Sequence, residues 1–245
     1  MSQEDNLMTE EQPTEKSGPA QWLQHVIGVF AAPLKTFEAI AAQPVWVFPL
    51  AIILIVIAIT TYFSIPAIQA DSAGALEEYL LKQDLTSEQA QSIRDGSKTQ
   101  IERFSAPMAV VTTLLISLIA SAVLFFVGNI LLGGNAKYKQ MFSLYCWSGL
   151  IGVLREILRL PISLQKVSMK VYFGPALLFP PEAEQTALYK AAAALDVFTV
   201  WRVLLLAVAF MVLYRFSFAK SAVTLFIVYT LVVAGGILLS GLVSR

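Results

Sequence analysis

The chain has 245 residues, of which 57% are apolar and only 14% are charged, whereas a soluble domain usually carries about 25% charged residues. The composition therefore predicts a membrane protein. The 17 basic residues are balanced by 17 acidic ones, so no overall positive field attracts nucleic acid, and nucleic acid is excluded as a partner. A single cysteine, Cys146, and a single histidine, His25, leave little material for disulfides, metal sites or histidine-dependent catalysis.

The N-terminal region changes character near residue 20. Residues 1–19 carry five acidic side chains among glutamine, threonine, proline and serine, and they are predicted to form a disordered, acidic, cytoplasmic tail. This tail lacks the features of a signal peptide, so we expect no cleavage. In residues 20–42 apolar side chains recur at helical spacing, which indicates one or two short amphipathic helices. They could lie in the membrane interface or dock on the remaining helices.

Five later segments approach the length of about 20 mainly apolar residues that a membrane crossing requires. We predict spans at about residues 45–64, 107–132, 141–160, 195–214 and 221–243. The third and fourth spans contain ionisable residues, but a backbone in lipid must satisfy its own hydrogen bonds, so both are predicted to be helices. The predicted fold is therefore all-α: a polytopic bundle of five transmembrane helices, residues 20–243, that begins with an amphipathic interfacial helix.

Two longer connections are predicted on the outer side. Residues 65–106 contain four basic and seven acidic residues and predict two polar helices, the second opened by a capping box at Thr86 and Gln89. Pro107 fits the first turn of the second span. Residues 161–194 contain several prolines and a glycine, which predicts a turn-rich connector.

Orientation follows from the shortest loops. The loops at residues 133–140 and 215–220 each contain two basic residues and no acid, and such loops favour the cytoplasmic side. With five spans, the N-terminus is then cytoplasmic and the C-terminus lies on the periplasmic or extracellular side.

Ionisable side chains within the spans are the first candidates for a functional site, because each costs about 2.5–3.5 kcal/mol at a helix centre. The third and fourth spans hold five of them: Arg155, Glu156, Arg159, Asp196 and Arg202. Counting about 1.5 Å per residue from the outer helix ends, we predict that Arg159 pairs with Asp196 and Glu156 with Arg202. Arg155 is left to reach the interface or a lipid headgroup. We favour a structural role for these pairs over transport.

Catalytic and cofactor patterns are missing from the sequence. It contains no H-E-x-x-H, no phosphate-binding loop with lysine before serine or threonine, and no G-x-S-x-G. Cys146 has no histidine near it in sequence, and a thiol within a span is more often inert packing. No catalytic, cofactor-binding or metal-binding residue is therefore predicted, and the chain is not expected to be an enzyme.

Three short stretches resemble the Yip1 (Ypt-interacting protein) domain family of multi-spanning membrane proteins. Residues 28–40 contain an F-x-x-P-x-x-T-F pattern, residues 133–143 form a glycine-rich turn before the third span, and residues 195–201 match l-D-x-F-x-x-W. The residues that carry these patterns are Phe30, Pro33, Thr36, Phe37, Pro44, Gly133, Gly134, Asp196 and Trp201.

The resemblance covers about residues 26–243 and is to the bacterial branch of the family. It implies a helical integral protein of the bacterial cytoplasmic membrane, without enzymatic activity or cofactors. The D-L-Y-G-P element of eukaryotic members is absent, so the resemblance does not extend to Rab-GTPase binding. Many bacterial members have a proline in the third span where this chain reads Trp147-Ser148-Gly149-Leu150, so we expect a straighter helix here.

Two functional hypotheses result. The preferred one is a membrane organising or adaptor protein that acts through helix contacts and cytoplasmic loops. Its partners would be the lipid bilayer and either another membrane protein or further copies of this chain. The alternative is an oligomeric small-molecule or ion permease with Arg155, Glu156 and Arg202 lining its path. Neutralising Glu156 and Arg202 together should leave an adaptor active but abolish flux through a permease.

Overall fold

The computed structural model describes residues 18–243 except 84, 181, 182 and 185. Residues 1–17, which make up nearly all of the predicted acidic tail, and the last two residues lie outside the described part. The described chain is helical and contains no strand. Four of its helices are long and apolar enough to cross a membrane, and a fifth span results if the bent pair Pro33–Ala42 and Val47–Phe63 counts as one.

Ten α-helices follow one another in the described chain. They are α1 (Pro19–Ala31), α2 (Pro33–Ala42), α3 (Val47–Phe63), α4 (Ile65–Leu81), α5 (Ser87–Phe126), α6 (Tyr138–Ser148), α7 (Leu150–Lys166), α8 (Ala187–Ala194), α9 (Val197–Tyr214) and α10 (Phe218–Val243). A π-helical turn, Val127–Leu131, extends α5, and a 3₁₀ turn, Pro175–Leu178, lies between α7 and α8.

The two ends of the bundle are named here by one residue each. The α5–α6 and α9–α10 loops, residues 132–137 and 215–217, lie at the Lys137 end. Asp196 and the described residues of the connector before it, 167–180, 183, 184 and 186–195, lie at the opposite, Asp196 end. The third span comprises α6 and α7, which together run from Tyr138 to Lys166. They meet at Gly149, whose N–H contacts two carbonyls, those of Tyr145 at 3.1 Å and Cys146 at 3.0 Å.

The predicted second span is not a separate helix. The polar helix and the span are joined in α5, which runs for 40 residues. Thr86 and Gln89 form the predicted capping box at its start. Pro107, predicted to lie in the first turn of a span, is instead inside α5. A proline removes one backbone hydrogen bond, and α5, which packs against α3 and α6, continues through it.

The N-terminal segment forms two helices that are packed into the bundle. Val29 of α1 and Phe37 and Ile40 of α2 are at most 1% exposed. They belong to one apolar core with residues of α6, α7 and α9, among them Trp147 and Leu205. Of the two arrangements that the sequence left open, the structure shows docking on the other helices.

The connection between α2 and α3 is partly buried against α6. The Val45 carbonyl accepts hydrogen bonds from Ser143 Oγ at 2.9 Å and from Trp147 Nε1 at 2.7 Å. Since α6 begins at Tyr138, these donors lie about 8 and 14 Å along the helix. Irregular backbone at membrane depth is tolerated only where the protein satisfies its polar groups, and Ser143 and Trp147 do so here.

Candidate functional site

The five predicted site residues belong to two neighbouring helices near the Asp196 end. Arg155, Glu156 and Arg159 lie on α7, Asp196 is the residue before α9, and Arg202 lies within α9. Helices α7 and α9 are in contact. The structure thus brings the residues to one region, as the sequence suggested, but not in the predicted pairs.

The partners within the two ion pairs differ from the prediction. Arg155 Nη2 lies 3.3 Å from Asp196 Oδ2, and Arg159 Nη2 lies 2.6 Å from Glu156 Oε2. The predicted pairs Arg159–Asp196 and Glu156–Arg202 are therefore wrong. Only one of the two observed pairs joins α7 to α9, because Glu156 and Arg159 lie one turn apart on the same helix.

The error has a geometric cause. The prediction took Leu160 as the outer end of the third span, but the helix passes through Pro161 and ends at Lys166. α7 therefore continues six residues, about 9 Å, past the assumed end, and the ends of α7 and α9 are not level as the prediction assumed. The residue that meets Asp196 is Arg155, one turn before Arg159.

Asp196 uses both oxygens of its carboxylate. Oδ1 accepts from the backbone N–H of Thr199 at 2.8 Å and caps α9, while Oδ2 faces Arg155. The side chain is only 6% exposed. A carboxylate is favoured at a helix N-terminus both as a cap and by the helix dipole. Gly174 packs closely against the backbone just before α9, because a Cβ at Gly174 would overlap the carbonyl oxygen of Leu195.

Arg202 has no carboxylate partner among the described residues. Its guanidinium carbon lies 4.5 Å from the centre of the Tyr145 ring, a cation–π contact. Its Nε is buried and, within the described part of the chain, has no hydrogen-bond partner. A Cβ at Gly149 would lie 2.9 Å from Ile53 Cδ1 and 3.0 Å from the carbonyl oxygen of Cys146, so the glycine allows close packing beside Arg202, whose Nη2 would be 3.5 Å away. A cation–π contact contributes about 0.5–2 kcal/mol and leaves the charge itself uncompensated.

A cavity of about 170 Å³, here called the polar cavity, lies beside Arg202 between α3, α5, α6, α7 and α9. Its lining residues with polar or ionisable side chains are Thr113, Ser117, Tyr145, Cys146, Arg155, Glu156 and Arg202. Three of the predicted site residues therefore share one cavity. Sequence reasoning missed Tyr145, because nothing distinguishes it from the other tyrosines until the fold places it under Arg202.

A second space of about 440 Å³, here called the apolar groove, lies on the other side of Arg202 between α5, α9 and α10. Leu124, Val203, Leu206, Leu225 and Val228 line it. Ile116, Tyr145 and Arg202 line both the polar cavity and the apolar groove. These three residues thus form the boundary between the two spaces.

The described residues contain no group of three histidine, cysteine, aspartate or glutamate side chains that could hold a metal ion. His25 meets the Trp147 ring edge-on, with ring centres 5.5 Å apart, and does not line the polar cavity. The polar cavity presents two guanidinium groups, those of Arg155 and Arg202, and one carboxylate, that of Glu156, and this excess of cations suits the binding of an anionic group.

The residues of the F-x-x-P-x-x-T-F pattern form the contact between the N-terminal helices and the bundle. Pro33 begins α2, and Thr36 Oγ1 donates to the backbone carbonyl four residues earlier at 2.9 Å. Phe37 is fully buried. Phe30 meets Trp201 of α9 edge-on, with ring centres 6.0 Å apart. The pattern therefore describes how α1 and α2 pack.

The remaining pattern residues shape connections. Pro44 lies in the partly buried α2–α3 connection. Gly133 has a φ of +71°, a conformation in which glycine is strongly preferred. A Cβ at Gly134 would overlap the ring of Tyr214, and so would a Cβ at Gly128 in the π-helical turn. The loop at the Lys137 end is consequently closed around that ring.

Comparison with known proteins gives one positive result. A search of curated proteins and a search of solved structures found no match. A family model, the Yip1 domain, matches residues 27–241. That range contains all nine pattern residues and all five charged site residues. The chain therefore belongs to the Yip1 domain family and is a multi-pass membrane protein.

Proposed function

We propose that this protein is a non-enzymatic organising or adaptor protein of the bacterial cytoplasmic membrane. The observation that carries the proposal is the continuity of α5. At about 1.5 Å per residue, its 40 residues extend about 60 Å, twice the thickness of about 30 Å of a bilayer's hydrocarbon core. About half of α5 therefore projects from the membrane together with α4.

The projecting part, residues 65–104, is called the arm. Its two helices are held side by side by paired polar groups. Arg94 donates to both carboxylate oxygens of Glu77, at 2.7 and 2.9 Å, and Gln69 Nε2 donates to Glu102 Oε1 at 3.1 Å. Such a two-point contact between arginine and a carboxylate fixes geometry as well as distance. The arm is therefore an ordered helical hairpin with two free faces.

The arm is also fixed to the bundle at its base. The Asp71 carboxylate accepts from Ser168 Oγ at 2.8 Å and from the Met169 N–H at 2.7 Å, which ties α4 to the residues after α7. A partner bound to the arm would thereby be held at a defined position over the membrane. The loops at the Lys137 end, by contrast, are short, so the arm offers the larger binding surface.

The basic residues of the loops at the Lys137 end support a cytoplasmic location for that end, a cytoplasmic N-terminus and an external arm. The non-enzymatic role rests on the lack of catalytic patterns in the sequence. Family membership supports a location in a membrane.

The proposal is tested with a photo-crosslinking amino acid at Leu81, which lies at the tip of the arm and is 85% exposed. Leu178 in the connector at the same end is 86% exposed and serves as the matched control position. Irradiation of living cells should give one discrete protein adduct from position 81 and none from position 178. The adduct should weaken when Arg94→Ala loosens the arm. Identical patterns from the two positions, or adducts with lipid alone, would contradict the adaptor function.

A further inference from the structure

The charges around the polar cavity do not cancel. Of the charged side chains that line it, Arg155 and Arg202 are cationic and Glu156 is anionic. Arg155 is paired with Asp196 and Glu156 with Arg159, which leaves Arg202 without a carboxylate partner among the described residues. An unpaired charge away from bulk water is strongly unfavourable, so the site is suited to a counter-ion that the described part of the chain does not supply.

The surroundings of Arg202 indicate the form of that anion. On one side lies the polar cavity and on the other the apolar groove. The groove volume of about 440 Å³ is within the range of about 300–1,000 Å³ typical of ligand sites. A molecule with an anionic group beside Arg202 and an apolar chain in the groove would fill both spaces. A small soluble anion would leave the groove empty.

The depth of Arg202 along α9 fits the headgroup of a lipid in the leaflet at the Asp196 end. Arg202 follows Asp196 by six residues, about 9 Å along α9, and side chains of a helix lean towards its N-terminus, here the Asp196 end. From Arg202 the groove continues inward to Leu206 of α9 and Leu225 of α10. Ile119 and Val232 on its rim are exposed, so a lipid could enter sideways from the bilayer.

We propose that Arg202, with Tyr145 beneath its guanidinium, binds the anionic headgroup of a membrane phospholipid whose acyl chain occupies the apolar groove between α5, α9 and α10. The inference concerns the spans alone and does not depend on the function proposed for the arm.

The test uses the full-length protein in mixed micelles that contain phosphatidylglycerol and phosphatidylcholine with identical acyl chains. Lipids retained after dilution are counted by native mass spectrometry. The wild type should retain phosphatidylglycerol in preference to phosphatidylcholine. Arg202→Gln should weaken that retention about tenfold or more, as expected for loss of hydrogen bonds to a charged group. Arg103→Gln removes an exposed arginine that lines neither space and should have no effect.

A second pair of variants tests the groove without changing any charge. Ala120→Phe fills the groove and should also abolish preferential retention, whereas Val223→Phe, on an exposed part of α10 outside the groove, should not. If Arg202→Gln does not fold, as judged by size-exclusion chromatography, the Ala120→Phe comparison decides alone. Unchanged retention in a folded Arg202→Gln or in Ala120→Phe would overturn the proposal. So would displacement of the lipid by inorganic phosphate at equal concentration, because the groove would then contribute nothing.

Discussion

At the scale of single residues, Asp196 combines a helix cap and an ion pair in one side chain. The two roles can be separated by substitution. Asp196→Ala removes both, whereas Asp196→Asn keeps an oxygen that can cap α9. We expect Asp196→Ala to lower the free energy of unfolding by about 1 kcal/mol more than Asp196→Asn, which is the usual contribution of a cap. The measurement is thermal unfolding in detergent, followed by tryptophan fluorescence.

Asp95→Asn provides the control for this comparison, because Asp95 is an exposed carboxylate on the arm. Its unfolding midpoint should equal that of the wild type. If the alanine and asparagine variants of Asp196 unfolded at the same temperature, the carboxylate would contribute through its charge alone.

The ion pairs also show how much of the candidate site can be predicted from the sequence. The presence of five ionisable residues in two spans identified the site region. The pairing depended on where α7 ends, and α7 continues through Pro161 to Lys166. Position along a helix can be counted from sequence only when its end is known, and the rotation of Arg202 towards Tyr145 cannot be counted at all. The sequence therefore indicated which region holds the charged residues, but it did not indicate which of them are in contact.

At the scale of elements, Pro107 tests how the arm and the span are joined. A proline inside a helix lacks one backbone hydrogen bond and crowds the preceding turn, at a cost of up to about 3 kcal/mol. Since α5 is continuous here, Pro107→Ala should keep the helix and raise the midpoint of thermal unfolding. Pro66→Ala is the matched control, because Pro66 lies in the first turn of α4, where proline is well tolerated. A lower unfolding midpoint for Pro107→Ala would show that the proline stabilises α5 at this position.

The arm has a predicted pH dependence. The hydrogen bond from Arg94 lowers the pKa of Glu77 below its ordinary value of 4.5. Because the folded pKa is the lower one, the pair stabilises the arm fully above 4.5, and this contribution is lost as the pH falls through the folded pKa. Hydrogen exchange of α4 peptides, corrected for the intrinsic pH dependence of exchange, should therefore accelerate at acidic pH.

Glu77→Gln removes the titrating group of this pair. In that variant the protection of α4 should already be reduced at neutral pH and should change less on acidification. If the wild type and Glu77→Gln responded to acid in the same way, another group would control the stability of the arm.

Helical elements were predictable where composition and turn residues agree. The capping box at Thr86 marked the start of α5 correctly, since its two hydrogen bonds are local. The joining of the polar helix to the second span was not predicted, because a proline after a polar segment also fits the start of a helix. Local sequence cannot distinguish these cases, and the difference is decided by packing against α3 and α6.

At the scale of the whole molecule, the partly buried Val45 carbonyl connects the N-terminal segment to the bundle. Ser143→Ala together with Trp147→Phe would leave this carbonyl without either donor, which costs about 1–3 kcal/mol for a buried polar group. We expect α1 and α2 to detach more often in this double variant. The rate of tryptic cleavage after Lys35 should increase while the core spans stay folded.

Trp22→Phe is the control for that experiment. Like Trp147, Trp22 packs against the ring of Phe48. Its Nε1, however, has no hydrogen-bond partner among the described residues. Loss of that N–H should leave the cleavage rate unchanged. Equal acceleration in both variants would point to lost ring packing instead of the lost hydrogen bonds.

The position of α2 between α6 and α9 was beyond sequence reasoning, because it depends on contacts between distant parts of the chain. Amphipathic spacing indicated a helix with an apolar face, but that face could be covered by lipid or by protein. Phe37 and Ile40 are covered by protein. The spacing of apolar residues thus identifies the apolar face of a helix, whereas the folded structure is needed to identify what covers that face.

The same arrangement determines the order in which a ribosome-bound chain can reach its final form. The first residue of α9 follows the last residue of α2 by about 155 positions. At about 5–20 residues per second, synthesis of that stretch takes roughly 8–30 s. Throughout this interval Phe37 and Ile40 have no α9 to pack against. The nascent N-terminal helices must therefore stay at the bilayer surface or bound to a chaperone during this time. They pack into the bundle only after most of the spans have been made.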